Sequence, residues 1–267
     1  MKKLLIIAVV FMFGLDSVYS QGELDEQQKI FFRNEKSFAI LLNTDGFGIS
    51  YREGKRIDYL NKKYFEIELG SLKHPKEFKV SNTYYQTPGT FVFGKLNTVI
   101  YIRGSIGHQR EIYKKADFGG VAIRYFYSGG PVIALYKPIY YKIIDTINPQ
   151  GTEFQIKQEK FDIKKHDQTM IYSKSSFIKG LNETKLLPGL FVKSGFNFEY
   201  SKQDKVIHAI ELGAQINLFP KKILIMATAN NKAIFFSLFA SYRFGMIVDP
   251  ANPESNKFSD IFSRKRQ

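Results

Sequence analysis

The hydrophobic pattern of this chain repeats every two residues almost from end to end, and helical periodicity is nearly absent. The run "KAIFFSLFASYRFG" at residues 232–245 is the sharpest case. Ile234, Phe236, Leu238, Ala240, Tyr242 and Phe244 form one unbroken apolar set, while Phe235, Ser237, Phe239, Ser241 and Arg243 alternate with them. Successive side chains of a strand point to opposite faces. Such a strand needs an apolar surrounding along its whole length on one face and a setting that tolerates arginine on the other.

Other stretches repeat the theme. "YFEIELGSL" sets Phe65, Ile67 and Leu69 against Glu66 and Glu68, and "VIYIRGSIGHQRE" sets Ile100, Ile102 and Ile106 against Arg103, Ser105, Gln109 and Glu111. "GVAIRYFYSGG" opposes Val121, Ile123, Tyr125 and Tyr127 to Ala122, Arg124 and Ser128. "LFVKSGFNFEY" opposes Val192, Phe196, Phe198 and Tyr200 to Lys193, Asn197 and Glu199. "VIHAIELGAQINLF" opposes Ile210, Leu212, Ile216 and Leu218 to Glu211, Gln215 and Asn217. In "PVIALYKPIYYKII", Pro138 removes a ladder donor and predicts a bulge.

A large soluble sandwich and a membrane barrel both accommodate strands of this length; the polar faces separate them. They carry Glu66, Glu68, Glu111, Glu199 and Glu211 against Arg103, Arg124, Lys193 and Arg243, a near balance within a chain of net charge +14. A narrow barrel interior requires that balance, because an unpaired buried charge is very costly. The pattern predicts an all-β fold: a transmembrane, antiparallel, up-and-down barrel of about eight strands over residues 36–245. These nine residues would form its interior charge network.

The strand count depends on "SFAILLNTDGFGISYR". Its apolar parity switches at "NTDG", which suits either a hairpin at Asp45-Gly46 or a bulge within one long strand. Taken as one bulged strand it gives eight, with "SGG" (128–130) and "KQDK" (202–205) as periplasmic turns and the connection 145–186 outside. The stretch "KHPKEFKVSNTYYQTPGTFVFGKLN" is then unusually long for a periplasmic turn. A count of ten follows if "TFVFG" or an "NTDG" hairpin adds strands.

Residues 1–20 read as a cleaved export signal. Lys2 and Lys3 precede the apolar "LLIIAVVFMFGL", and small residues Val18 and Ser20 set a cut near Ser20-Gln21. Residues 21–35 read as a polar periplasmic lead-in. Losing two lysines and one aspartate lowers the net charge from +14 to +13. The chain has no cysteine, which excludes disulfides and a lipidated leader and fits a Gram-negative envelope. Its 25 Phe and 16 Tyr residues are enough for aromatic girdles at two membrane interfaces. The expected location is the outer membrane, with lipid and lipopolysaccharide as neighbours, a protein partner in the envelope, and no nucleic acid.

The sequence offers little for catalysis. Of four histidines, His108 and His208 fall on the lipid-facing parity, His74 reads as a turn residue beside Pro75, and His166 as part of a solvated loop. No Ser/His/Asp set shares a face, Asp45 lacks further ligands at calcium-loop spacing, and no glycine loop cradles a phosphate. No catalytic residue, cofactor or metal is expected, and an eight-stranded barrel leaves no wide channel. "KSSFIKGLNETKLLPG" predicts a short helical turn bringing Phe177, Leu181 and Leu186 to similar sides. The tail 246–267 ends in Phe258, Ile261, Phe262, Arg264, Lys265 and Arg266, an amphipathic basic segment suited to docking on a partner.

"LLNTDGFGISYREGKR", "SLKHPKE", "GVAIRYFYSGGPVIALYKPIYY" and "LPGLFVKSGFNFEY" resemble a group of uncharacterised outer-membrane β-barrel proteins from Bacteroidetes, over most of residues 36–245. The resemblance implies fold and location and supplies no catalytic residues. The expected function is a structural or accessory barrel in an envelope assembly or secretion system. A lipid-modifying enzyme and a small-solute or lipid conduit are the alternatives.

Overall fold

The computed structural model describes residues 34–85, 89–115, 120–146, 154–201, 205–228 and 230–248. The sequence-predicted signal segment, most of the lead-in, and the tail residues Phe258, Ile261, Phe262, Arg264, Lys265 and Arg266 lie outside them.

Eight strands close into an antiparallel barrel: β1 (Asn34–Asn43), β2 (Gly46–Arg56), β3 (Asn61–Leu72), β6 (Asn97–Tyr113), β7 (Ala122–Pro138), β11 (Lys185–Glu199), β12 (Val206–Leu218) and β13 (Ile234–Val248). Each pairs with its barrel neighbour, and β1 closes on β13 with Asn34 opposite Val248 and Asn43 opposite Phe239. Two further sheets lie in the connections. One pairs β4 (Lys79–Ser81) with β5 (Thr90–Val92); the other runs β10 (Ile171–Lys174), β8 (Tyr140–Thr146), β9 (Phe154–Lys160).

The count of eight arises from two departures from the sequence reading that cancel. "NTDG" is a hairpin rather than a bulge: Asn43 pairs with Gly46, leaving Thr44 and Asp45 as a two-residue turn. Glycine is required at position 46, where a Cβ would stand 1.9 Å from the Ser71 carbonyl oxygen. Conversely "SGG" is no turn, because residues 128–130 lie inside β7. A Cβ on Gly130 would fall 2.1 Å from the Gly104 carbonyl oxygen, so the bare backbone there permits close approach of β6. Pro138 does not bulge a strand; it ends β7, and the chain turns into β8 outside the barrel.

The hairpin also resolves the misplaced long turn. Connections 57–60, 114–121 and 200–205 lie at the same end as Asn34 and Val248. Thr44–Asp45, 73–96, 139–184 and 219–233 lie at the other. "TFVFG" supplies β5, a strand of the long connections and not of the barrel. Among the described residues of the 139–184 connection, Gln168–Met170 and Leu181–Glu183 each form a 3-10 turn, and Leu186 already belongs to β11.

Burial is inverted relative to a water-soluble domain. Away from the charged strand ends that carry Glu53, Lys55 and Lys63, the outward set of the barrel strands is mostly apolar and exposed, Ile106 at 73% and Phe236 at 63%, while Glu211 and Arg103 inside stand at 0% and 1%. At the end bearing Asn34 and Val248, aromatic side chains meet on the outer wall: Phe38 lies 4.9 Å from Tyr51 between ring centroids, and His208 Nδ1 sits 2.8 Å from the Tyr242 hydroxyl.

Candidate functional site: a sealed lumen and its outer cap

The inward side chains form three polar layers below an apolar stopper. Nearest the Asn34–Val248 end, Arg124 pairs with Glu199 and, through Nε at 3.0 Å, with Glu111. Lys115 donates to Glu199 at 2.8 Å, and Lys62 pairs with Glu35. In the middle layer Glu211 accepts from Arg52 Nη1 at 2.7 Å, Arg243 Nε at 3.0 Å and Asn197 Nδ2 at 3.0 Å. Glu66 accepts from the same two guanidiniums, at 3.0 Å from Arg52 and 2.7 Å from Arg243. Arg52 also stacks 4.1 Å from the Tyr64 ring centroid, a cation–π contact that suits guanidinium. Above it, Glu68 accepts from Arg103 Nη1 and from the Tyr101 hydroxyl, both at 2.8 Å, and Lys193 lies 3.3 Å away.

All nine residues read from the sequence as an interior network take part in these contacts. Arg52, Lys62, Lys115 and Glu35 join them and were missed. Arg52 was legible: it shares parity with Gly48 and Ser50, opposite Phe47, Ile49 and Tyr51. Together the three layers hold six carboxylates (Glu35, Glu66, Glu68, Glu111, Glu199, Glu211) and seven cations (Arg52, Lys62, Arg103, Lys115, Arg124, Lys193, Arg243). The lumen thus carries about one net charge, and nearly all of the chain's +14 lies elsewhere.

The stopper comes from the 219–233 connection, which folds back into the barrel mouth. Phe219, Ile223, Ile225 and Met226 bury against inward residues of the wall, among them Val99, Tyr101, Val132, Leu187 and Phe191. Backbone bonds fix it: Leu96 N–H donates to the Ile225 carbonyl at 2.8 Å and Ala227 N–H to the Gly94 carbonyl at 2.7 Å. The Asn231 side chain accepts from Ile225 N–H at 2.7 Å and donates to the Met226 carbonyl at 2.8 Å.

Over the mouth the other long connections form a cap with its own core of Phe91, Ile139, Tyr141, Ile143, Phe161 and Ile171. The Tyr141 hydroxyl donates to the carbonyls of Val92, at 2.7 Å, and Lys95, at 3.0 Å, tying β8 to the β4–β5 hairpin connection. His166 is not a solvated loop residue. It is 8% exposed, its Nδ1 accepts from Asp162 N–H at 3.1 Å, and its Nε2 lies 3.4 Å from Glu159. His108 and His208 sit on the outer wall, and His74 Nδ1 accepts from Lys76 N–H within its turn. Among the described residues no group of three or more His, Asp or Glu could hold a metal ion.

Two features of the cap face outward. Strand β9 is a sheet edge, all seven of its residues are exposed, and among the described residues its outer side is unpaired. Between stopper and rim lies a vestibule of about 670 Å³, whose walls include Tyr136, Lys160, Glu183, Lys185, Lys221 and Lys222. Glu183 accepts from the Tyr140 hydroxyl at 2.7 Å and pairs with Lys160. Those two hydrogen bonds, from Lys160 first, hold its carboxyl below the usual glutamate range.

Fold and lumen together define a closed eight-stranded barrel, ion-paired inside and apolar outside. No protein-family model matches the chain, and no curated protein does. Among solved structures it is similar to Neisserial surface protein A, at 10% identity and a TM-score of 0.36 over 81% of this chain and 97% of that one. It is also similar to Ail, the attachment invasion locus protein of Yersinia pestis, at 7% identity and a TM-score of 0.35 over 82% and 98%. Likeness this remote carries no functional argument; the barrel rests on its own closed ladder.

Proposed function

We propose that the chain is a Gram-negative outer-membrane barrel acting as a closed structural or accessory component of an envelope assembly, and that it holds its cap at the cell surface for a protein partner. The observation that carries this reading is the twofold occlusion of the lumen, by ion pairs along its length and by the apolar stopper at its mouth. A conduit needs a path, and this interior is filled. What remains for function is the surface.

The outer wall supports the location. Burying one large apolar side chain is worth about 1.5–3 kcal/mol, so a band including Ile40, Ile49, Ile67, Leu190 and Leu238 would be strongly unfavourable in water. In the usual orientation the termini and short turns face the periplasm and the long connections face outside. Strand β9 supports a protein partner. An exposed edge offers unpaired N–H and C=O groups to an added strand, and Phe154 and Ile156 give that strand apolar anchors.

The test is photo-crosslinking in native outer membranes from probes at Gln155 and Lys157, with a probe at Tyr127 on the barrel wall as control. A discrete protein adduct from β9 and not from the wall is expected. Steady conductance of the purified protein in a planar bilayer, with no adduct from β9, would refute the reading.

A further inference from the structure

We propose that the vestibule binds a small saccharide bearing two or more phosphate or sulfate groups. Four lysines and one glutamate among its lining residues give it a local charge of +3. The glutamate is committed, because Glu183 is held by Lys160 and the Tyr140 hydroxyl. Lys185, Lys221 and Lys222 therefore face a common space with no carboxylate partner among the described residues. In the lumen, by contrast, nearly every cation has its carboxylate. Like charges gathered in one concavity repel, and a multivalent anion relieves that repulsion where a single carboxylate could not.

The lysines are also anchored. Lys221 and Lys222 lie between Phe219 and Ile223, both buried in the stopper, and Phe219 and Ile223 N–H groups donate to the carbonyls of Ala233 and Lys232 at 2.9 and 3.1 Å. Lys185 is the first residue of β11 and pairs in register with Tyr136 of β7. Both sets of ammonium groups thus spring from fixed backbone. The shape of the vestibule fits as well. A volume near 670 Å³ falls within the range of small-ligand pockets, and Leu187, Leu224 and the Tyr136 side chain offer an apolar surface to a sugar ring. Because the stopper closes the floor, a ligand entering here is bound and not passed on.

Only the source of the ligand rests on the cap facing outward: the phosphorylated core of lipopolysaccharide in the same membrane, or a soluble sulfated glycan. Binding itself is measured on the full chain folded in detergent, with the barrel checked by heat-dependent mobility on SDS gels. Failure of the membrane assignment would therefore leave the binding result standing. Calorimetry with hexose 1,6-bisphosphate is expected to show one saturable site, with no binding of the neutral hexose. K221Q/K222Q and K185Q should each weaken binding at least tenfold without altering the gel shift. K55Q/K63Q removes two exposed barrel-wall lysines and should leave affinity within twofold.

Equal loss in the K55Q/K63Q control, or no preference for the bisphosphate over the neutral hexose, overturns the site. Displacement of the bisphosphate by lipopolysaccharide core oligosaccharide points to the membrane, and displacement by a sulfated disaccharide to a soluble glycan; either supports the proposal. Displacement by neither overturns the saccharide assignment.

Discussion

Glu211 should be the most sensitive single position in the barrel. Its carboxylate is 0% exposed and accepts from two guanidiniums, one amide and the Ser241 hydroxyl. Glu211→Gln keeps the shape but removes the charge, leaving Arg52 and Arg243 to share Glu66 alone. Breaking a buried ion pair from one side costs about 3–5 kcal/mol, since the partner charge stays buried without compensation. That corresponds to a shift in the unfolding equilibrium of about 10²- to 10³·⁵-fold. Glu53 provides the calibration: its pair with Lys36, at 3.4 Å, is about half exposed at both ends, so Glu53→Gln should cost less than about 1 kcal/mol. Urea unfolding in detergent micelles, followed by tyrosine fluorescence and by gel mobility, measures both. If E211Q unfolds within about 1 kcal/mol of the parent, the middle layer is not the desolvated ion-pair network described above.

Three further outcomes follow from other parts of the molecule. Ile225→Asp should free the stopper and expose residues 219–233 to protease, while the bilayer stays silent because the Arg52–Glu66–Glu211–Arg243 layer still fills the lumen; a steady conductance would contradict this. Tyr141→Phe removes two hydrogen bonds from the cap core, a loss of about 1–3 kcal/mol, and limited proteolysis should cut the cap while the barrel remains intact. Glu183 has a lowered pKa, so its contribution to the cap is complete above the ordinary glutamate value of 4.5. It is lost only as pH falls through its lower folded value. A carboxyl NMR titration with a midpoint at or above 4.5 would contradict the Lys160 and Tyr140 contacts.

The barrel was legible because its solvent arrangement is inverted: an apolar set that must never break, opposite a polar set that must balance, leaves a strong imprint on every strand. Boundaries were less legible because glycine serves opposite purposes. Gly46 permits a tight reversal, whereas Gly130 sits in mid-strand where two backbones nearly touch, and a single sequence does not distinguish these uses. Lumen charges follow from strand parity, and Arg52 escapes that reading only when β1 and β2 are taken as one strand. Stopper, cap and vestibule left no periodic trace. Phe219, Ile223 and Ile225 look like any apolar loop residues until the chain doubles back, and Lys185, Lys221 and Lys222 converge from segments 36 residues apart in sequence.

The cap core draws Phe91 from one connection, Tyr141, Phe161 and Ile171 from a second, and packs against Ala227 from a third. Those segments are spaced along the chain by strands that must first find their neighbours. Non-local contacts of this kind form late, after the loop-closure entropy has been met. The cap is therefore an indicator of completed barrel closure: a molecule whose seam between β1 and β13 has not formed has no fixed frame on which to assemble it. In the orientation proposed above, proteolysis of the 73–96 and 139–184 connections from outside the cell would then distinguish finished barrels from stalled ones, without any probe of the barrel wall.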